Sequence, residues 1–365
     1  MTEVHQFLST FAGRDAIGMH TLRVRKLLRD AGFESDIYAL DTHDDVRAEA
    51  LDPRTFRERV RGAVDPWILY HFSIGSPLFD FVRGLDVPLA LDYHNITDAK
   101  YFWRWEPRAA TTMMEGRRQL ALAAPAVRFA LADSEFNERE LVELHCPRTA
   151  VAPILIDFAD YDRAPDPALL ARRNRTRAQG GADWLTVGRV APNKCQHDVL
   201  LAFAVYRRIH DPRARLTFVG GQSAGLYWRA LHTLAEDLDV ADAVTFADTV
   251  SHAELLAYYR TSDVFVLLSE HEGFNVPVLE AMHFDVPVIA YASSAVPDTV
   301  GDGGLLLTDK DPVVVATAVD RLRSDESLRR TLVAAGRTRA DEHFSIARTG
   351  PQMLETLKML MKETA

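Results

Sequence analysis

The sequence predicts an α/β protein of two doubly wound domains facing each other across a cleft, each a parallel sheet covered by helices on both faces. Three observations carry this. Short apolar runs alternate with longer stretches of helical spacing along nearly the whole chain. The apolar runs are close to continuous, as strands buried on both faces require. A length of 365 residues also exceeds one ordinary core, at roughly 100–200 residues per domain.

Strands are expected over residues 4–8, 34–40, 67–72, 88–93 and 129–133. The pattern restarts near Trp184, with strands expected over 184–187, 215–219, 244–246, 264–268 and 286–290. Helical spacing links them, as in Leu22, Leu27 and Leu28 closed by Gly32, and in 199–209 and 255–259. Residues 157–181 read as a connector rich in Asp, Pro and Arg that ends in Gly180-Gly181. The expected division is 1–160 for an acceptor-side domain and 161–345 for a donor-binding domain. A last helix within 346–365 is expected to pack back toward the first domain. In open parallel sheets ligands bind beyond the carboxyl ends of the strands, so chemistry is sought in the loops that follow them.

Composition narrows the function classes. The formal charge is −10, so no broad basic field is available for nucleic acid. The run 171–177 reads as a solvated helix end, with a phosphate or anionic-lipid contact as the lesser reading. Cys146 and Cys195 form no CxxC and no zinc spacing with histidine. The start MTEVHQFLST has no basic region followed by an apolar run. No apolar run approaches the ~20 residues that span a bilayer. The expectation is a cytoplasmic protein, held at most to the inner face of a membrane.

Two loops carry chemistry. After the strand 184–187 comes Gly188-Arg189-Val190-Ala191-Pro192-Asn193-Lys194. Glycine permits a tight exit from the strand. Arg189 offers a bidentate fork to phosphate oxygens, and Lys194 adds a compact charge at a helix start. The spacing is not that of a Walker A loop, and no GxGxxG follows the first strand. After the strand 264–268 comes Glu272-Gly273-Phe274-Asn275-Val276-Pro277-Val278-Leu279-Glu280. Pro277 suits a first helical turn. The N–H groups from Gly273 to Val276 are then ready donors. Glu272 and Glu280 are double acceptors, suited to vicinal hydroxyls.

The string EGFNVPVLE resembles the E-x7-E motif of the retaining GT-B glycosyltransferases of family 4, the glycosyl transferases group 1. The loop 188–194 is similar to that family's Gly-Arg…Lys phosphate loop, and the likeness continues to about Leu307. The resemblance implies two Rossmann-like domains and transfer of a hexosyl unit from a UDP- or GDP-sugar to a hydroxyl acceptor. It further implies retention of configuration, by front-face displacement, in glycan or glycoconjugate synthesis. Carried across, Arg189 and Lys194 bind the donor diphosphate after Gly188, and Glu272 meets the donor sugar. Gly273, Phe274, Asn275 and Val276 offer backbone contacts, and Glu280 takes the ribose hydroxyls. Val250 ends a turn similar to the base-binding edge, in which Asp248 stands where glycine is common.

In the first half the likeness rests on shorter strings. Residues 15–20 look like the family's flexible glycine loop, with Gly18 as the remaining glycine. His94, in Asp92-Tyr93-His94-Asn95, resembles a histidine placed near the reacting sugar, with a structural histidine as the alternative. His20, His71, Asn95 and Trp103 are candidates on the acceptor side. The cluster 101–105 reads as a sugar-stacking platform, a membrane-surface anchor or core packing. The expected partners are a nucleotide-sugar donor and a saccharide, lipid-linked or small-molecule acceptor. No metal or cofactor is expected, and Asp237-Leu238-Asp239 reads as surface charge. A GT-B epimerase, a sugar phosphorylase and a non-catalytic nucleotide-sugar binder are the rival readings.

Overall fold

The structure is a computed structural model describing residues 2–364. The chain forms two compact units. The first holds the chain up to Ala99, Arg108–Ile156 and the segment from Ser345; the second holds Lys100–Pro107 and Asp157–Phe344.

The first unit is a seven-stranded sheet of β1 Thr2–Phe11, β2 Ile37–Thr42, β3 Ala50–Leu51, β4 Val64–Phe72, β5 Leu89–Tyr93, β6 Phe129–Ala132 and β7 Thr149–Val151. The order is β3-β2-β1-β4-β5-β6-β7 and every pair is parallel. Val4, Leu69, Phe129 and Leu131 point to one face, where Val24 and Leu28 of the helix Ala16–Asp30 cover them. Met353, Leu357, Leu360 and Met361 of the last helix, Ile346–Thr364, complete that face. Phe7, Ile68, Tyr70, Phe72 and Leu91 fill the other face with Phe79, Val82 and Leu120.

The second unit is a six-stranded parallel sheet of β8 Asp183–Val187, β9 Arg215–Val219, β10 Val244–Phe246, β11 Val264–Leu267, β12 Val288–Tyr291 and β13 Gly304–Leu307. Its order is β10-β9-β8-β11-β12-β13. Trp184, Leu216, Val264 and Val266 pack against Val199 and Phe203 of the helix Gln196–Ile209 and Val315 and Val319 of the helix Pro312–Ser324. In each sheet the strand order reverses at one point, between β1 and β4 and between β8 and β11. These are the places where an open parallel sheet presents its ligand-binding loops.

Three assignments differ from the sequence reading. Residues 157–181 are not an open connector. A 3-10 turn, Phe158–Asp162, leads to the helix Pro167–Arg177, which Asp166 caps by accepting the N–H of Leu169 at 2.6 Å. Within that helix Arg173 is not solvated. Its side chain is 12% exposed and donates to Thr261 Oγ1 (2.8 Å), Thr217 Oγ1 (3.1 Å) and Asp183 (3.4 Å). Asp183 is shared with Arg215, at 2.9 Å. Residues 100–107 belong to the second unit, where the Trp105 ring sits 5.2 Å from that of Tyr227 and joins its core. β3, β7 and β13 are short edge strands that lack the fully buried apolar run by which the others are read. Among the described residues no helix is long and apolar enough to cross a membrane.

Arg173→Ala leaves Asp183 with one close guanidinium fewer and takes a donor from the Thr261 and Thr217 hydroxyls. The expected loss of unfolding free energy is about 3 kcal/mol, read by urea denaturation. A loss within error of zero would contradict the buried role assigned to Arg173.

Candidate functional site

The exits of β8 and β9 both need glycine, Gly188 for its backbone angle and Gly220 also for its close approach. Gly188 and Gly220 each have φ 141°, and a Cβ on Gly220 would lie 2.2 Å from the Gly188 carbonyl oxygen. The chain leaves Gly188 through exposed Arg189, whose guanidinium has no hydrogen bond or ion pair among the described residues. A short turn, Pro192–Lys194, then reverses at Cys195 (φ 50°) into the helix Gln196–Ile209. Lys194 therefore sits beside a helix N-terminus, where a cation is disfavoured unless an anion accompanies it.

That anion comes from the loop after β11. Lys194 Nζ donates to Glu272 Oε2 in a tight ion pair. Glu272 is 5% exposed, and its Oε1 is buried without a hydrogen-bond partner among the described residues. The two loops are also tied through backbone. Asn193 Nδ2 donates to His271 O at 3.0 Å, and Glu270 N donates to Asn193 O at 2.9 Å. Ser294 Oγ accepts from Glu272 N at 2.8 Å, and the Thr299 hydroxyl donates to Phe274 O. Asn275 takes the left-handed conformation (φ 85°) and caps the helix Val276–His283, its Oδ1 accepting from Val278 N at 3.2 Å. Gly273, Phe274, Asn275 and Val276 thus form the turn that opens this helix, as the spacing anticipates.

Glu280 lies inside that helix and is 7% exposed. It is not a free carboxylate. Oε1 accepts from the Tyr161 hydroxyl (2.5 Å) and Oε2 from the Tyr259 hydroxyl (2.6 Å). Burial and the Glu280 carboxylate push the Tyr259 hydroxyl well above its usual pKa, which keeps it a donor. Val250 immediately precedes Ser251, which caps the helix His252–Arg260 with a capping box. Asp248 in the same turn has φ 54°, the conformation for which glycine is usual, and holds Thr249 N at 2.7 Å. Its oxygen acceptor substitutes for conformational freedom.

In the first unit the candidate residues gather at the carboxyl ends of β4 and β5, but inwardly. Gly18 is not in a loop. It lies in the first turn of the helix Ala16–Asp30, its N–H held by Asp15 at 2.6 Å, and a Cβ there would meet the Ala12 carbonyl oxygen at 1.8 Å. His94 is not offered outward. Its side chain is 1% exposed, Nδ1 lies 3.0 Å from both Asp133 oxygens, and Nε2 lies 2.9 Å from His71 Nδ1. His71 Nε2 meets Gln6 Oε1 at 2.9 Å, and His20 Nε2 meets Asp92 Oδ2 at 2.9 Å. Burial works against charge on His94, yet Asp133 and Asp92 outweigh it and push it up to about 9. Burial drives His71 well below its usual value despite Asp92. Asn95 (φ 70°) donates from Nδ2 to Asn137 Oδ1 at 2.9 Å. Trp103, 48% exposed, belongs to the second unit and not to the acceptor-side domain expected for it.

Comparison with known proteins gives the family and the fold. The family model described as glycosyl transferases group 1 matches residues 171–339. The D-inositol 3-phosphate glycosyltransferase of Kineococcus radiotolerans is 30% identical over 302 residues, covering 77% of this chain and 68% of that protein. The chain belongs to the glycosyl transferases group 1 family. A second relative is the GDP-mannose-dependent alpha-(1-6)-phosphatidylinositol monomannoside mannosyltransferase of Mycolicibacterium smegmatis. It is 32% identical, over 70% of this chain and 66% of that one. Among solved structures, Anabaena HepE in complex with UDP-glucose superposes with a TM-score of 0.76 at 18% identity, covering 98% of this chain and 99% of that one. Sucrose-phosphate synthase from Thermosynechococcus elongatus does so with 0.76 at 18%, covering 99% and 100%. The two parallel sheets with their flanking helices are those of the GT-B fold. This glycosyltransferase moves a sugar from a nucleotide-diphosphate donor to an acceptor.

Several partners of the candidate residues escaped the sequence reading. Tyr161 and Tyr259 lie 119 and 21 residues from Glu280. Gln6 and Asp133 reach the histidines from β1 and from the end of β6. Each was an ordinary residue of a strand, turn or helix until the fold brought it across. Gly18→Ala of this glycosyltransferase is expected to lower unfolding free energy by about 3 kcal/mol, because its methyl meets a backbone carbonyl. Calorimetry giving an unchanged melting temperature would show that the helix start yields freely.

Proposed function

We propose that this glycosyltransferase carries a hexosyl unit from a UDP- or GDP-sugar to a hydroxyl acceptor with retention of configuration. One observation carries the reading. Lys194 and Glu272 meet at the reversal point of the second sheet, from loops that present a free guanidinium and a helix start beside them. Arg189 and Lys194 take the donor diphosphate and offset its charge as it leaves. Catalysis then consists mostly of positioning and electrostatic stabilisation, with a diphosphate oxygen accepting the acceptor's proton by front-face displacement. The unpartnered Oε1 of Glu272 receives a hydroxyl of the donor sugar, and the turn from Gly273 to Val276 contributes N–H groups. Glu280 receives the ribose hydroxyls. Val250 edges the base. A GDP-mannose-dependent relative and a UDP-glucose complex of the same fold make these two donor classes the first to examine. The inositol-bearing names of both sequence relatives put polyol hydroxyls first among acceptors.

The donor class is read by thermal unfolding with UDP-, GDP- and ADP-sugars. A true donor at a hundredfold excess over its Kd adds about 2.7 kcal/mol of apparent stability. Lys194→Ala is expected to lower turnover by roughly 10²–10³-fold with the far-ultraviolet circular dichroism unchanged. Near-normal turnover in that variant removes Lys194 from the reaction.

A further inference from the structure

We propose that the buried histidine–carboxylate cluster of the first unit is a site for one divalent ion of the zinc class, held by His71 Nδ1, His94 Nε2 and Asp92. The argument starts from where the protons must be. Leu155 N–H donates to His20 Nδ1 at 2.9 Å, so His20 carries its proton on Nε2 and donates it to Asp92 Oδ2. His20 therefore orients Asp92 and is not itself a ligand. Gln6 Oε1 accepts from His71 Nε2 at 2.9 Å, and Asp133 accepts from His94 Nδ1 at 3.0 Å. The remaining lone pairs, on His71 Nδ1 and His94 Nε2, face each other across 2.9 Å. Asp92 Oδ2 lies 3.3 Å from the first and 3.9 Å from the second.

Two lone pairs so close need a positive charge between them, either a proton or a metal ion. Three features favour the ion. Each ligating imidazole donates its far N–H to a carbonyl or carboxylate oxygen, the outer arrangement that fixes the tautomer and orientation of metal-bound histidines. Asp92 Oδ2 keeps a lone pair beyond the one given to His20 and is the carboxylate oxygen that faces both nitrogens. The three separations bracket the spacing of about 3.3 Å between ligands that each lie ~2.0–2.1 Å from a tetrahedral zinc. Two imidazoles with one carboxylate favour an ion of this class over magnesium or calcium. The ion ties together β1, β4, β5, the end of β6 and, through His20, the helix Ala16–Asp30. Its role is to fix the carboxyl edge of the first sheet, and it stands independently of the donor-site reading. The second grouping of donor types, Cys195, His197 and Asp198, does not compete, because the Lys310 ammonium already occupies Asp198 at 2.6 Å.

The test uses the full chain expressed in zinc-supplemented medium without a metal-binding tag. Mass spectrometric metal analysis is expected to find about one ion per chain, and chelation to lower the melting temperature by several degrees, reversed by zinc chloride. His71→Ala and Asp92→Asn are expected to lower the ion content roughly tenfold or more, while His197→Ala leaves it unchanged. Cobalt(II) added to the chelated wild-type chain should give visible d–d absorption, a readout that needs no substitution to fold. A metal-free chain whose melting temperature zinc does not move overturns the proposal in favour of a shared proton. An ion content lost in His197→Ala and kept in His71→Ala overturns it as well.

Discussion

The donor-side loops depend on one contact, the ion pair between Lys194 and Glu272. Each partner is awkward alone. Lys194 stands at the positive end of a helix, and Glu272 is nearly enclosed. Together they neutralise each other and fix the loops after β8 and β11 at the reversal point of the sheet. The pair is incomplete by design of the fold, since only Oε2 of Glu272 is engaged. Ser294, Thr299 and Asn193 hold the surrounding backbone, so the carboxylate has little freedom to turn away. On the reading proposed above, a site poised in this way takes an anion and a hydroxyl without first reorganising, which is where electrostatic catalysis gains most.

The two glutamates of the motif are then chemically distinct. Glu272 is paired with a cation and keeps one oxygen unpartnered. Glu280 is gripped by Tyr161 and Tyr259 from opposite sides, and its neighbours are donors that stay protonated. On the reading proposed above, the first carboxylate meets the donor sugar, and the second is a fixed edge for a ligand's diol. Equal spacing from a common helix start does not make equal roles, because the environment of each oxygen decides what it can still accept.

How much of this was legible follows from the range of each signal. The strands of both cores were readable because they are long apolar runs buried on both faces, as at 215–219 and 264–268. The glycine, proline and asparagine of the two donor loops were readable because backbone geometry is a local demand. Arg173 was misread as solvated because a run of arginines looks alike on paper, and only the fold brings Asp183, Thr217 and Thr261 to one of them. Gly18 was read as a loop glycine, whereas its need is a close approach to Ala12 within a helix. His94 was read as lying near the reacting sugar or as structural, and its surroundings were not legible because Asp133 and His71, which hold its ring, are 39 and 23 residues away.

The same reversal of strand order is used in opposite ways by the two sheets. At β8 and β11 it is lined by groups with capacity to spare: Arg189, one oxygen of Glu272 and a helix start. In the first sheet, the carboxyl ends of β4 and β5 beside the β1–β4 reversal are packed with His20, His71, Asp92 and His94, all turned inward. Parallel strands end there with a splay that must be filled by something polar, since the backbone at strand ends still needs partners. A ligand can fill it in one sheet, while in the other the chain's own side chains do. Filling it with histidines and buried carboxylates costs more desolvation than an apolar plug would. That cost is tolerable when each imidazole nitrogen has a partner of matching polarity, and the hydrogen bonds of Gln6, Leu155 and Asp133 supply those partners. A position they leave open lies between His71, His94 and Asp92, where a positive charge balances the facing lone pairs.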